Sequence, residues 1–327
     1  MSNTSVEIDT RPILIVDAMS VFIRHFLANP AVSTRGEFSG GVVGFLSSLG
    51  QLTASINPKT VIVVWDAGGG SQKKRGVFAD YKMHRKPQKM NRAQGDDIPT
   101  TVENRNWQVT TVVGMLRHLP LIQLFIENCE ADDVVGYLCK YKYLQEEKVV
   151  VSSDRDFYQL LDENMKIFSP TSKSFVDSEA VKEKFGISPR NFCLAKAVCG
   201  DASDNIPGVG GVGFAGLAKK FPEFLDERDM TIDELISKAK LLNEEKSLKI
   251  YKQIIDGEDI IRRNWKLVLL DTANLSADQV KKINDTFTLH EAKKDKLGFL
   301  KKLVKEGLGT FDADRFFVSF NNLQRLS

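Results

Sequence analysis

The sequence predicts an α/β protein: a doubly wound, mostly parallel sheet followed by a smaller helical module. Short β-branched runs at 13–17, 61–66, 121–126 and 148–152 alternate with helical patterns at about 40–56, 106–118 and 131–145. That rhythm belongs to parallel strands covered on both faces. After about residue 185 the strand pattern stops, and helix-like segments follow at 189–199, 213–221, 232–240 and 243–256. The third observation is chemical. Nine acidic residues form five short clusters, and four of these clusters follow a strand-like run.

Residues 1–10 are polar and read as a disordered tail. ILIV then leads to Asp17, VIVVW to Asp66, LIQLFI to Glu130, Asp132 and Asp133, and VVVSS to Asp154 and Asp156. The fifth cluster, Asp201 and Asp204, lies in GDASDNIPGVGGVG, where the helical part begins. The stretch 67–105 breaks the rhythm; a connection this long inside a compact domain is usually functional. NWKLVLLD at 264–271 reads as a late edge strand or extended segment, and from Ser276 the pattern is amphipathic helix. The divisions expected are the tail, a sheet domain over 11–188 and a helical module over 189–327.

Composition narrows the class. With 42% hydrophobic and 27% charged residues among 327, the chain has the make-up of a water-soluble globular protein. Its apolar runs fall short of the roughly 20 residues a membrane helix needs, and its start lacks a signal-peptide pattern, so cytoplasmic residence without membrane contact is expected. Cys129, Cys139, Cys193 and Cys199 show no zinc-like pairing and read as reduced, buried thiols. The four histidines are scattered, and none is assigned to chemistry. Trp65 and Trp107 read as core.

Net charge is only +2, but its distribution is uneven. Eight Lys or Arg residues, including Arg75, Lys82 and Arg85, lie between Lys73 and Arg92 against one acid, Asp80. Phe78, Tyr81 and His84 interleave with them. Such a segment contacts phosphates through its cations and stacks on bases through its rings. It starts seven residues after Asp66 and so passes the acidic sheet edge.

In open α/β sheets, ligands bind at the carboxyl ends of the strands. Carboxylates gathered there repel by about 3 kcal/mol per pair at ~5 Å and an effective dielectric near 20. A divalent cation removes that cost, and oxygen-only donors select a hard ion such as Mg²⁺ or Mn²⁺. Taken singly, Asp17 and Asp66 are ordinary helix caps, and Glu130, Asp132 and Asp133 are ordinary first-turn acids favoured by the helix dipole. Together they read as the metal site of a phosphate-ester enzyme. Gly208, Gly210, Gly211 and Gly213 precede an apparent helix carrying Lys219 and Lys220. A helix, a glycine turn and a second helix suit a hairpin holding a nucleic-acid backbone without reading bases.

In order, ILIVDA, VVWDA, YKMHR, EADD, SSDRDF and GDASDNIPGVGGVG resemble the structure-specific 5′-nuclease superfamily. The likeness is to bacteriophage 5′-exonucleases, the 5′-nuclease domain of bacterial DNA polymerase I and flap endonucleases, and it spans residue 13 to about 221. The resemblance implies a PIN-like nuclease domain with a basic helical arch at about 73–105 and a helix-hairpin-helix module. It implies one metal held by Asp17, Asp66, Glu130 and Asp132 with Asp133 nearby, and a second by Asp154, Asp156, Asp201 and Asp204. Lys82 and Arg85 would act on the scissile phosphate. Arg75, Tyr81, Lys82, Arg85, the four glycines and Lys219 would contact DNA. Two Mg²⁺ ions, replaceable by Mn²⁺, and a K⁺ at the glycine hairpin are the implied ions.

The expected function is divalent-metal-dependent hydrolysis of phosphodiesters at 5′ ends, 5′ flaps or RNA primers in replication or repair, by a monomer. The substrate would be flapped or 5′-ended DNA or an RNA–DNA hybrid, leaving a 5′-phosphate and a 3′-hydroxyl. A sliding clamp or single-strand-binding protein is the expected class of protein partner. The tail ADRFFVSFNNLQRL would meet such a partner, or else close the fold as an amphipathic element. The alternatives are an inactive structure-specific DNA-binding protein, which the complete acid set and Lys82 oppose, and a small-molecule phosphohydrolase. The latter class needs Asp-x-Asp on the first strand, where this chain has Asp17-Ala-Met.

Overall fold

The computed structural model describes residues 9–83 and 101–323. Its first half is β1 Ile13–Asp17, α1 Ala18–Ala28, α2 Gly40–Ile56, β2 Thr60–Asp66, α3 Ser71–Val77, α4 Thr101–Leu116 and β3 Ile122–Ile126. After α5 Ala131–Tyr137 and a π turn Leu138–Lys142 come β4 Lys148–Val151, a 3₁₀ segment Arg155–Leu160, β5 Met165–Ser169 and β6 Ser174–Val176. The helical part holds α6 Ser178–Phe185, α7 Pro189–Cys199, the two-residue strands β7 Gly200–Asp201 and β8 Ile206–Pro207, and α8 Phe214–Lys220. It continues with α9 Ile232–Glu245, α10 Lys249–Asp256, α11 Glu258–Val268, α12 Ala277–Thr288, α13 Lys296–Lys305 and α14 Ala313–Val318.

The sheet order is β3-β2-β1-β4-β5-β6, parallel except for β6. From β1 the chain winds outward to β2 and β3, then returns to lay β4 on the other side of β1. The β1/β4 gap is therefore the topological switch point, where the loops diverge and leave a crevice. Asp17 ends β1, Asp66 ends β2, and Asp154 follows β4 by three residues, so the topology brings these acids to one edge.

Alternation along β1 sets the two cores. Ile13 and Ile15 enter one layer, shared with α5, α7, α9 and α10, while Leu14 and Val16 enter the other, shared with α1, α2, α4, α13 and α14. The helical part has no separate interior facing the sheet: Val150 and Ile167 share one apolar cluster with Val198, Leu217 and Ile254. At the lower end of β4, the buried Lys148 ammonium donates to the carbonyls of Tyr143, Leu144 and Glu146 at 2.9, 3.1 and 2.8 Å. It caps the carbonyls left open where the helix ends.

Several expectations change. NWKLVLLD is not a strand: α11 runs to Val268, because Ile261, Asn264, Leu267 and Val268 recur at helical spacing and face the interior. α1, β5 and β6 were absent from the sequence reading; β5 and β6 form a short hairpin at the sheet edge. Trp65 is core, but Trp107 is only partly buried and its indole N–H donates to Glu306 at 2.9 Å. Phe316 and Phe317 pack against Phe299, and Phe320 against Phe316, inside the second layer, so the buried C-terminal aromatic pair closes the fold. Of the expected tail, residues 1–8 lie outside the described residues, while Asp9 is paired with Arg11. All four cysteines are free, three of them buried. No helix among the described residues is long and apolar enough to cross a membrane.

In the glycine turn between α7 and α8, Gly208 has no space for a side chain and Gly211 little, while Gly210 and Gly213 are open. A Cβ on Gly208 would lie 2.2 Å from the carbonyl carbon and oxygen of Cys199, whereas one on Gly210 meets nothing within 4 Å. Gly208→Ala should therefore cost about 3 kcal/mol of stability, in the range of overpacked sites. Gly210→Ala should cost under about 0.5 kcal/mol. Urea unfolding of the two variants checks this; equal losses would contradict the packing described.

Candidate active site

A cleft of about 1030 Å³ opens at the switch point. Asp17, Asp66, Glu130, Asp132, Asp154 and Asp201 line it, with Arg75, Lys82 and Lys196. Each acid is aimed by backbone geometry at an element's end. Asp17 caps α1, accepting from Ser20 N–H at 3.2 Å, and its other oxygen accepts from Ser152 Oγ at 2.8 Å. Asp66 accepts from Ala131 N–H at 3.0 Å, Asp154 from Asp156 N–H at 2.8 Å, and Asp201 from Ser203 N–H at 2.8 Å. For Asp17, Asp154 and Asp201 the cap fixes the carboxylate that the cleft displays; Asp66 caps no helix of its own, since α3 is capped at Gly70, and is held by α5 instead.

The charges divide into two groups. On one side, Glu130 is almost completely buried and accepts four bonds: from Ser71 Oγ (2.9 Å), Lys82 Nζ (2.6 Å), Lys74 Nζ (2.7 Å) and Tyr81 Oη (2.9 Å). Burial pushes its carboxyl upward, but Lys74 and Lys82 more than offset this and hold it well below the usual carboxylate range. Burial likewise works against the Lys74 charge, yet Asp133, Glu130 and Asp132 raise its ammonium above the ordinary lysine value. On the other side, Asp156, Asp201 and Asp204 place carboxylate oxygens within 4.8 Å of one another, a spacing able to hold a metal ion. The Lys196 ammonium makes a short contact with Asp156 and lies 2.6 Å from Asp201 Oδ2.

Between these groups, like charge is incompletely balanced. Burial, with Asp66 and Asp154 adding to it, pushes Asp17 up to about 7. Burial and then Asp154 and Asp17 raise Asp132 well above its ordinary value. Burial raises Asp156 to about 6 against the pull of Lys196. Oxygen donors held close enough to resist ionisation fit a hard divalent cation, the charge that would let all of them ionise.

Two expected site residues do other work here. Asp133 turns inward: one oxygen accepts from Glu130 N–H at 3.2 Å in a capping box and the other from Asn274 Nδ2 at 2.9 Å. It holds α5 and does not line the cleft. Tyr81, whose ring could either stack on a base or pack beneath the basic segment, is 1% exposed, because its hydroxyl is drawn inward to Glu130 and, at 3.4 Å, Asp204. Arg85 and His84 lie outside the described residues, as does most of the expected arch, 84–100. Lys219 is exposed on α8. The Gly210 carbonyl accepts from the Gln253 amide, and Gly211 has the left-handed φ of 77° that glycine adopts without strain.

The sequence reading missed Lys74 as a partner of Glu130, and it missed Lys196 and Asn264. Lys196 had a signal, being the single charge in the apolar helical run FCLAKAVC. Asn264, fully buried on α11, donates to the carbonyls of Ala197 and Pro207, both at 2.9 Å, and so fixes the two ends of the Asp201–Asp204 loop. Its partners lie 67 and 57 residues away, beyond any local pattern.

Comparison with known proteins places this architecture. The family described as 5′-3′ exonuclease, N-terminal resolvase-like domain, matches residues 12–186. The chain is 34% identical over 204 residues to DNA polymerase I of Pseudomonas aeruginosa, covering 62% of this chain and 21% of the polymerase. It is 30% identical over 219 residues to a 5′-3′ exonuclease of Buchnera aphidicola subsp. Schizaphis graminum, covering 64% of this chain and 71% of the exonuclease. A flap endonuclease of bacteriophage T5, crystallised with DNA and metal ions, shares the fold with a TM-score of 0.67 at 21% identity, covering 85% of this chain and 98% of that one. The chain thus spans about a fifth of the polymerase and most of the separate exonuclease.

The raised carboxyls give a pH prediction. Asp17 and Asp156 hold protons in the folded state that the unfolded chain releases near the ordinary 3.8. Their contribution to stability is therefore complete below about pH 4 and lost as pH rises through about 6 to 7. In EDTA, Tm should fall between about pH 5 and about pH 8, and Mn²⁺ should raise Tm more at the higher pH, where it meets less competition from protons. Differential scanning calorimetry checks both; a metal effect that grows as pH falls would contradict the assignment.

Proposed function

This chain belongs to the 5′-3′ exonuclease family, and on that premise we propose that it is a divalent-metal-dependent nuclease that hydrolyses phosphodiesters at 5′ ends and flaps. The observation that carries the reading is the convergence of six carboxylates and Lys82 on one cleft at the β1/β4 switch point. Asp17, Asp66, Asp132 and Asp154 would hold one ion with Glu130 beside them, and Asp156, Asp201 and Asp204 the second. Mg²⁺ is the proposed ion, with Mn²⁺ as a substitute. When bound, a pair of such ions supplies Lewis-acid stabilisation of the attacking and leaving oxygens of an in-line displacement.

The chain's own residues do the rest. Lys82 reaches the cleft from a left-handed backbone position, φ 57°, pinned where its N–H donates to the Asp204 carbonyl at 2.9 Å. Its ammonium offsets charge on the scissile phosphate, a role worth a few kcal/mol for a well-placed donor. Arg75 lines the same wall, and its Nε–H donates to the Tyr81 carbonyl at 3.3 Å. The glycine turn between α7 and α8, with Lys219 beyond it, would hold the duplex by its backbone, with K⁺ at its carbonyls. The enzyme would work in the cytoplasm on flapped DNA or RNA–DNA hybrids.

Cleavage of a labelled 5′-flap duplex tests the proposal. With Mg²⁺ it should be cut near the flap junction; with EDTA, or in Asp154→Asn, cutting should vanish while binding persists. Tight binding without cleavage by the wild type would instead make the chain a structure-specific DNA-binding protein. Lys82→Ala should lower turnover by about 100-fold while changing affinity little. Single-turnover kinetics separate the two; a loss confined to affinity would make Lys82 a simple phosphate contact.

A further inference from the structure

Lys196 stands on α7, among neighbours that are almost all buried and apolar. Its side chain is 6% exposed, yet it ends at the wall of the cleft. The ammonium takes Asp156 Oδ1 and Asp201 Oδ2, oxygens from two of the three acids whose ligand atoms lie within 4.8 Å of one another. Burying an ammonium is unfavourable unless it is paired, and breaking a buried pair leaves an uncompensated charge. The pairing is delivered by a fixed element, since α7 packs along α11 and Asn264 ties its last turn to the Asp201–Asp204 loop.

We propose that Lys196 is the resident counter-cation of the Asp156–Asp201–Asp204 cluster and competes with a divalent ion for the same carboxylate oxygens. This rests on the metal-dependent reading above. A hard cation needs the oxygen lone pairs that the ammonium N–H groups already occupy, so the two cannot use one oxygen fully at once. The lysine keeps the cluster folded and compact in the absence of metal. Its presence also makes this cluster the weaker of the two metal-binding groups.

Mn²⁺ binding to the DNA-free protein, followed by electron paramagnetic resonance, tests this without reference to activity. The wild type should show a stronger and a weaker class of site. In Lys196→Met the weaker class should tighten by about tenfold, equivalent to about 1.4 kcal/mol, and the metal-free protein should melt at a lower temperature. Lys196→Arg, which keeps the charge, should bind as the wild type does. If Lys196→Met does not fold, Lys196→Gln supplies the same readout with a polar neutral group. Unchanged or weakened binding at the weaker class, with the stronger class intact, would overturn the role of Lys196 alone. A wild type that binds no Mn²⁺ would overturn the metal-dependent reading and this inference with it.

Discussion

Carboxylates crowded at the ends of parallel strands repel by about 3 kcal/mol per pair at ~5 Å and an effective dielectric near 20. In this chain that repulsion is met by ammonium groups from three places: Lys74 on α3, Lys82 just beyond it and Lys196 on α7. The first two meet on Glu130 and the third bridges Asp156 and Asp201. Ammonium contacts hold Glu130 and Asp201 below their ordinary values against burial, whereas at Asp156 burial outweighs the pull of Lys196 and the carboxyl is raised. Burial, with Asp66 and Asp154 adding to it, raises Asp17 further, to about 7. The site is thus divided into satisfied and unsatisfied carboxylates before any ligand arrives.

The same charges join the sheet to the helical part. Residues 78–83 lie across the cleft, with Tyr81 bonded to Glu130 on one side and near Asp204 on the other. Asn205 Nδ2 donates to the Asp80 carbonyl at 2.9 Å, and the Arg263 guanidinium lies 4.4 Å from the Phe78 ring centroid. A segment that looks like an exposed basic loop is, at its root, the clasp between two layers. Tyr81 is interior for this reason: its hydroxyl has a charged acceptor available only inside.

Most of the sheet was legible because a fully buried parallel strand leaves a β-branched run, and four of the five acid clusters were legible because each followed such a run. The short hairpin β5–β6 was not, since MKIFS alternates over too few residues to stand out. Residues 264–271 misled for the opposite reason: LVLL looks like a strand until Asn264 and Ile261, one and two turns earlier, are counted with it. The roles of Asp133 and Tyr81 were hidden because each depends on a partner distant in sequence, Asn274 for one and Asp204 for the other. Of the nine acids singled out by sequence order, six line one cleft. Sequence order did not show which cations answer them.

On the reading proposed above, this acidic edge is a two-part divalent-cation site. Anomalous diffraction from crystals grown with Mn²⁺ tests it most directly. One peak is expected among Asp17, Asp66, Asp132 and Asp154 and a second among Asp156, Asp201 and Asp204, with the Lys196 ammonium moved off at least one oxygen. Crystals that diffract well and show no peak at either group, with all three lysines in place, would contradict it.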